Sequence, residues 1–321
     1  MEKKILTIVI CAYNMEKYIQ EALDSCIVDN MNRIEVLIMN DGSTDKTAEI
    51  SRSYQEKYPE VFKLVDKPNG GWGSNINLAV GMAKGKYFKV LDADDWFDKS
   101  LLVQFLDLLE KNDTDAFISS HAEVSSIEKV VDIPDWRMYS GSLQYLDQLK
   151  DSIFFSIWDA CFKTSIVQAH HRDLPEKTLY TDTLFLSQII PFLNKVFFIN
   201  IPLYNYRVGR VGQSVSAESV MKHYKELLLV TRLGLKVLDE NDNKKNIHLI
   251  SRVAQTYRSN MISIRKSYGK VKNVRKILME EDAYLKKNYK YIYEATNNRL
   301  DFKILRMTRY VLLPFFVGEK M

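Results

Sequence analysis

Short apolar runs alternate with amphipathic stretches through the first third of the chain. LTIVIC at residues 6–11, IEVLIM at 34–39, VFKLV at 61–65 and KYFKVL at 86–91 are rich in β-branched and aromatic residues and read as strands. The first is nearly continuous in its apolar character, as a strand covered on both faces requires. Between these runs the spacing changes to that of helices. Ile19, Ala22, Leu23 and Cys26 share one face of a helix over residues 16–28, a second helix capped by Ser43 extends to about Lys57, and a third covers residues 75–84. Strand and helix alternating at this length predict an α/β fold with a mostly parallel, doubly wound sheet.

Past the fourth strand the pattern loosens. A helix over 99–111, with Asp98 placed to cap it, precedes a strand at 116–119 and an added strand over 123–131. Residues 132–180 are hard to place, apart from a strand at 158–163 and a helix at 164–170. Thr181 and Asp182 open an apolar stretch that ends at Leu193, and residues 196–199 and 203–207 read as strands. From residue 218 onward the spacing is helical, with segments near 218–238, 245–267, 271–287 and 299–313. The compositional break near residue 216 predicts two parts, 1–216 and 217–321.

Charge divides the chain at nearly the same place. Residues 1–221 carry 23 Lys and Arg against 31 Asp and Glu, a net −8, whereas residues 222–321 carry 22 against 10, a net +12. A solvated helical surface, a phospholipid surface or a pyrophosphate-linked acceptor would account for the basic half. It carries no nucleic-acid motif, so no nucleic-acid partner is expected. Cys11, Cys26 and Cys161 are odd in number, far apart and without metal-ligand spacing, which predicts buried thiols in a reducing compartment. The five histidines, His121, His170, His171, His223 and His248, have no metal spacing either and read as structural or exposed. Lys3 and Lys4 before the first apolar run mimic a secretion signal, but the run stops at Tyr13 and Asn14 without a small-residue cleavage site. No segment reaches the roughly 20 apolar residues of a membrane span. The expected location is the cytoplasm, free or peripheral at the inner face of the cell membrane. The tail ILRMTRYVLLPFFV at 304–317 is apolar with interspersed arginines, and it fits either a membrane surface, its own domain, or a second subunit in a homo-oligomer.

The chemistry concentrates where strands end. Tyr13 and Asn14, Asp41, and the trio Asp92, Asp94 and Asp95 each follow an apolar run, which places them on the carboxyl edge of an open sheet, where ligands bind. Two carboxylates one residue apart suit a hard divalent cation shared with substrate phosphates. An acidic, solvated turn ahead of a capped helix is the plainer reading of the same residues.

Four stretches carry a resemblance: IVICAYN at 8–14, NDGSTDKT at 40–47, NGGWGSNIN at 69–77 and KYFKVLDADDWF at 86–97. In order and spacing they resemble the family-2 glycosyltransferases, inverting enzymes with the GT-A fold. The resemblance implies a Rossmann-like, mostly parallel sheet as the catalytic domain over 1–216, with a nucleotide-binding half to about residue 100 and an acceptor half over 101–216. A basic helical region over 217–321 follows. It implies a nucleotide-sugar donor, most often UDP-linked, a saccharide or lipid-linked acceptor, and Mn2+ or Mg2+. Asp94 aligns with the second acid of the DxD motif as metal ligand, and Asp92 with the first, for the ribose or the metal. Asp41 is implied to meet the nucleoside and Tyr13 to stack on its base. Ala12, Asn14, Asn69, Gly71, Asn77 and Ala93 complete the donor side. Asp182, in LYTDTLFL at 179–186, matches the family's catalytic base, with Thr181 where a glutamate is usual. YNYRVGRVGQSVS at 204–216 resembles the closing loop, with Arg207, Arg210, Gln213 and Ser214 as polar contacts. Trp158 and Asp159 fit the acceptor side or the core equally well. Ile76, Ala79 and Cys11 depart from the family's usual arginine, glycine and proline. Two rival readings are a nucleotidyltransferase, which would show a basic glycine-rich phosphate loop after the first strand, and a non-catalytic binding or membrane scaffold of the same fold.

Overall fold

Strand β1 (Leu6–Ala12) is buried along almost its whole length because it has a parallel neighbour on each side, β2 (Ile34–Asn40) and β4 (Tyr87–Asp92). β3 (Phe62–Asp66) adds outside β2, again parallel. The crossovers are the helices α1 (Ile19–Ser25), α2 (Thr47–Lys57) and α3 (Gly71–Met82). The computed structural model describes residues 4–149, 152–210, 217–240 and 246–317. The chain divides into two compact units, Met1–Arg210 and Val211–Met321.

Beyond β4 the sheet of the first unit becomes mixed. β9 (Ala160–Lys163) lies antiparallel between β4 and β6 (Ala116–Val124), and β10 (Lys195–Arg207) runs parallel to β6. The short strands β5 (Trp96–Phe97), β7 (Lys129–Val131) and β8 (Ser142–Tyr145) pair antiparallel with β10, β6 and β10 respectively. The path through the sheet is β3-β2-β1-β4-β9-β6-β10-β5. The expected parallel sheet is therefore present, with β9 as its one internal reversal along that path. Helix α4 (Lys99–Lys111) packs Leu102, Phe105, Leu106 and Leu109 against Ile8, Ile10, Phe117 and Tyr204. Each such side chain contributes about 2 kcal/mol on leaving water. Asp98 caps α4 by accepting from the Ser100 and Leu101 N–H groups, as expected. Two further helices, α5 (Thr164–His170) and α6 (Thr181–Ile189), follow β9.

Several boundaries differ from the sequence expectation, each for a reason visible in the hydrogen bonds. Ser43 is not a helix cap. Its Oγ accepts from the Asn14 N–H, and α2 starts at Thr47, whose N–H is taken by Asp45 instead. α3 begins at Gly71 rather than residue 75, because a carboxylate from β2's end receives its first N–H groups. The expected strands 196–199 and 203–207 are one strand, with register shifts between Ile199 and Tyr204 around Pro202. The strand expected over 123–131 is a hairpin, the end of β6 returning as β7. Cys26 and Cys161 are buried and Cys11 half-buried, all as free thiols, and burial pushes the first two up to about 12.

The second unit is helical: α7 (Ala217–Val237), α8 (Ile247–Arg265), α9 (Val274–Asn288), α10 (Lys290–Thr296) and α11 (Leu300–Met307). The sequence reading missed α10, which is set off from α9 by a non-helical Tyr289 whose hydroxyl donates to Asp239 at 2.6 Å. The interior holds paired charge. Asp282 accepts from Tyr257 (2.8 Å), from Arg306 (2.8 and 2.9 Å) and from Tyr310, and Arg265 meets Asp301 at 2.8 Å. Buried ions persist only when partnered in this way.

One contact in the first unit fixes β1 against β4. Thr7 Oγ1 donates to Glu35 at 2.8 Å and accepts from the Gly85 N–H at 2.8 Å, and the same Glu35 oxygen accepts from Lys84 N–H. A Cβ at Gly85 would lie 2.3 Å from the Thr7 nitrogen and 2.6 Å from the Leu6 carbonyl carbon, both backbone. Gly85→Ala is expected to cost about 3 kcal/mol in urea unfolding. A loss below about 0.5 kcal/mol, the range of an ordinary surface change, would show that β1 and β4 do not meet this closely.

Candidate active site

The parallel register brings the three polar strand ends to one edge. Cys11 lies level with Asp92 and Ala12 with Asn40, so the turns that follow leave the sheet side by side. They are stitched together. Asn14, in the left-handed region at φ 54°, accepts the Thr44 N–H at 2.9 Å, and Met15 and Glu16 donate to Thr47 and Asp45. Tyr13 projects from this turn with 47% of its surface exposed, a ring face free of the core. Ala12 is buried and its carbonyl receives the Asp41 N–H at 2.8 Å.

Asp41 is only 2% exposed, and its carboxylate organises the glycine loop. One oxygen accepts the Gly70 N–H at 2.9 Å and the Lys67 ammonium; the other accepts the Gly71 N–H at 2.8 Å. Gly71, at φ +82°, opens α3, so the carboxylate sits at that helix's positive end. Asn69 donates to the Asp41 carbonyl at 3.0 Å, completing the clasp.

Asp92, Asp94 and Asp95 leave β4 together, as expected. Asp95 is buried and accepts from the Tyr204 hydroxyl at 2.7 Å and the Arg207 N–H at 2.8 Å. Burial, then the charges of Asp92 and Asp94, push its carboxyl up to about 8. Asp92 accepts from the Trp72 indole at 3.2 Å. Burial, then Asp94, then Asp182, raise it to about 7. Asp94 pairs with the Arg210 Nε at 2.7 Å. Arg207 donates to the Asp94 carbonyl at 2.8 Å and to Glu21, and lies 4.6 Å from the Trp96 ring and 5.1 Å from Tyr18. Ala93 is buried between the acids. Gln213 and Ser214 lie outside the described residues.

Asp182 stands in the first turn of α6 rather than at its cap, which is Tyr180 in the left-handed region at φ 64°. Its charge acts on Asp92, the third influence on that carboxyl after burial and Asp94, so the start of α6 lies near the end of β4. The approach to α6 hangs on α3. Asn77, expected as a donor contact, is instead a tether: its side chain takes the Leu174 N–H at 2.8 Å, gives to the Leu174 carbonyl at 3.0 Å and meets His171 at 3.0 Å. Lys177 donates to the Gly70 carbonyl at 2.6 Å. Gly73 has no room for a side chain, since a Cβ would meet Leu174 and Pro175 at 2.9 Å.

Trp158 stacks on Tyr206, with centroids 4.8 Å apart and planes 12° from parallel. Asp159, expected beside it on the acceptor side, is buried and faces inward to His121 at 2.8 Å and the Ser156 N–H at 2.7 Å. Below them the buried Lys89 donates to the Trp158 and Ala160 carbonyls at 2.7 and 3.2 Å, and burial lowers its ammonium to about 8.

A family model described as glycosyl transferase family 2 matches residues 7–169, about half the chain and all four motif stretches. The chain belongs to glycosyl transferase family 2. Among its relatives is the MG025 homolog of Mycoplasma pneumoniae (strain ATCC 29342 / M129 / Subtype 1), named an uncharacterized glycosyltransferase. The two are 30% identical over 218 residues, 67% of this chain and 71% of that one. EpsH of Bacillus subtilis (strain 168), also named as a glycosyltransferase, is 27% identical over 242 residues, 73% and 68% of the two chains. The fold is shared with S. aureus TarS 1–349 in complex with UDP-GlcNAc, at a TM-score of 0.71 and 19% identity over 96% of this chain and 90% of that one. It is also shared with the mannosyltransferase PcManGT of Pyrobaculum calidifontis, in complex with GDP-Man and Mn2+, at a TM-score of 0.53 and 16% identity over 97% and 88%. The GT-A sheet with a helical C-terminal region is thus established, as is an enzyme that transfers sugar.

In this glycosyltransferase the donor set at the end of β4 fits a divalent cation. Asp92 holds its proton more tightly because it is buried and because Asp94 and Asp182 then crowd it, a setting that a bound cation would relieve. Among the described residues no group of three or more His, Cys, Asp or Glu side chains forms a complete cage. Two carboxylates with substrate phosphates are what Mg2+ generally uses. Sequence reading missed Trp72, Tyr204 and Lys67, which hold Asp92, Asp95 and Asp41, and Glu21, which holds Arg207. Trp72 and Tyr204 lie inside the motif stretches, so their position was a usable signal; Glu21 and Lys67 gave none.

The crowding has a measurable sign. In metal-free protein the folded state keeps protons on Asp92 and Asp95 up to about pH 7 and 8, whereas the unfolded chain releases them near the ordinary carboxylate value of 3.8. Stability is therefore expected to fall as pH rises through that window. In denaturant titrations with EDTA, Asp92→Asn should flatten this decline. Parallel wild-type and variant curves would mean that Asp92 does not carry the shift.

Proposed function

We propose that this enzyme moves a sugar from a UDP-sugar to a hydroxyl of a saccharide, free or lipid-linked, with inversion at the anomeric carbon. What supports the reading is that the charge of Asp182 bears on Asp92, which brings the candidate base near the candidate donor site. The UDP-GlcNAc complex of TarS supports a uridine nucleotide, and exposed Tyr13 offers the base a stacking face. Asp41 holds the loop beneath that base, and its Oδ2, with one lone pair beyond the Gly71 bond, suits the uracil N–H.

In this mechanism Asp182 takes the proton of the acceptor hydroxyl as that oxygen attacks the anomeric carbon. The bond from that carbon to the phosphate oxygen breaks, and the nucleoside diphosphate leaves with the electron pair. Asp94 and Asp92 would hold Mn2+ or Mg2+, whose charge offsets that of the leaving diphosphate. Arg210 and Arg207 suit the same phosphates, since guanidinium forks match their oxygens. Trp158, stacked on Tyr206, suits an acceptor sugar ring on the far side.

Asp182→Asn is expected to lower transfer at least about 100-fold while UDP-sugar binding in calorimetry stays within about threefold. Asp94→Asn should abolish the Mn2+-dependent part of donor binding. Full transfer by Asp182→Asn would remove the base assignment, and metal-independent donor binding by the wild type would remove the cation.

A further inference from the structure

We propose that the end of the second unit docks on an anionic phospholipid surface. On α11 the inward face is already filled: Phe302 and Leu305 are buried, and Arg306 is bonded to Asp282. Yet the outward face is apolar too. Leu300 is 70% exposed and Met307 75% exposed, with half-buried Ile304 between them at helical spacing. At Arg309 and Tyr310, both in the left-handed region, the chain turns. Tyr310 and Leu313 then point inward, while Val311 (57%) and Phe315 (81%) point out. The segment has two apolar sides and the unit covers one. A helix in water needs only one.

The charge beside this stripe selects its occupant. Residues 300–317 contain a single acid, Asp301, which is buried in ion pairs with Arg265 and Arg299. The exposed charges are Lys303 and Arg309, and Arg275 joins them by donating to the Arg309 carbonyl at 3.1 and 3.2 Å. Residues 222–321 as a whole carry 22 basic and 10 acidic side chains. Exposed apolar groups flanked by cations, with the acid withdrawn, match an interface of acyl chains under anionic headgroups. A second copy would present the same positive surface and be repelled. Among the described residues no helix is long and apolar enough to cross a membrane, so the segment lies on the bilayer rather than through it.

Flotation of the full chain with phosphatidylcholine vesicles, with and without phosphatidylglycerol, tests this. The wild type should bind only the anionic vesicles, and less as salt rises. Met307→Ser with Phe315→Ser, and separately Lys303→Glu with Arg309→Glu, should each weaken binding about tenfold or more, an effect of about 1.4 kcal/mol. Their unfolding midpoints should match the wild type, because all four side chains are exposed. Wild-type protein that stays off anionic vesicles overturns the proposal, as does binding that both double variants retain. A concentration-dependent dimer lost in Met307→Ser with Phe315→Ser, without vesicle binding, assigns the stripe to a second copy instead. The vesicle assay does not depend on the sugar-transfer reading, so either can fail alone.

Discussion

Crowding of carboxylates at the end of β4 is the constraint around which the first unit is built. Asp92, Asp94 and Asp95 lie within four residues, and Asp182 adds its charge from α6. Like charges placed together in a buried edge oppose ionisation, and the neighbouring groups answer that in distinct ways. Asp95 is held by Tyr204 and the Arg207 backbone, which makes it structural. Among the described residues Asp92's carboxylate has the Trp72 indole at 3.2 Å, a neutral donor. Asp94 has a guanidinium, from Arg210. The acid buried deepest is therefore the one most fully bonded by neutral groups, and the compensating positive charge is placed on the acid aligned with the metal ligand.

The second requirement is a frame for the segment that leads into α6. The approach to Asp182 is tied down by contacts that start at Asp41. The Asp41 carboxylate fixes the start of α3, the Gly70 carbonyl receives Lys177, and Asn77 further along α3 holds Leu174. Two non-glycine residues in the left-handed region, Lys177 and Tyr180, lie on the same approach. Such backbone persists only where surrounding contacts over-determine it. The end of β2, the start of α3 and the approach to α6 are thus one construction, with no room for a Cβ at Gly73.

The sequence disclosed the fold of the first hundred residues because buried parallel strands are continuous apolar runs separated by amphipathic helices, and the order of four motifs supplied the family. Asp92 and Asp94 follow such a run, which put them at a strand's carboxyl end, whereas Asp182 came from the family resemblance alone. The sequence did not reveal what those acids touch. Asn77 came from the resemblance, and Asp159 fitted acceptor or core equally; neither reading showed that their side chains bond Leu174 and His121. Those partners are distant in sequence, and no local pattern encodes them. The same holds for Ser43, a good cap by composition, whose hydroxyl is claimed by Asn14 from the turn after β1. In the second unit helical spacing survived, but the break at Tyr289 did not show, since an aromatic residue there continues the apolar pattern while its backbone leaves the helix.

Arg207 and Arg210 differ in a way that follows from their partners. Arg207 is anchored through its backbone to Asp95 and through its side chain to the Asp94 carbonyl and Glu21, between the rings of Tyr18 and Trp96. None of these groups is a charge that a cation at the DxD acids would take over, except through Asp94's backbone, which coordination of its side chain leaves intact. Arg210 by contrast spends its Nε on the Asp94 carboxylate itself. Positive charge arriving at Asp94 competes with Arg210 and not with Arg207, and negative charge arriving beside it attracts both. The strand β10 therefore ends in a guanidinium held by backbone and ring contacts, and three residues later comes one whose partner is the Asp94 carboxylate.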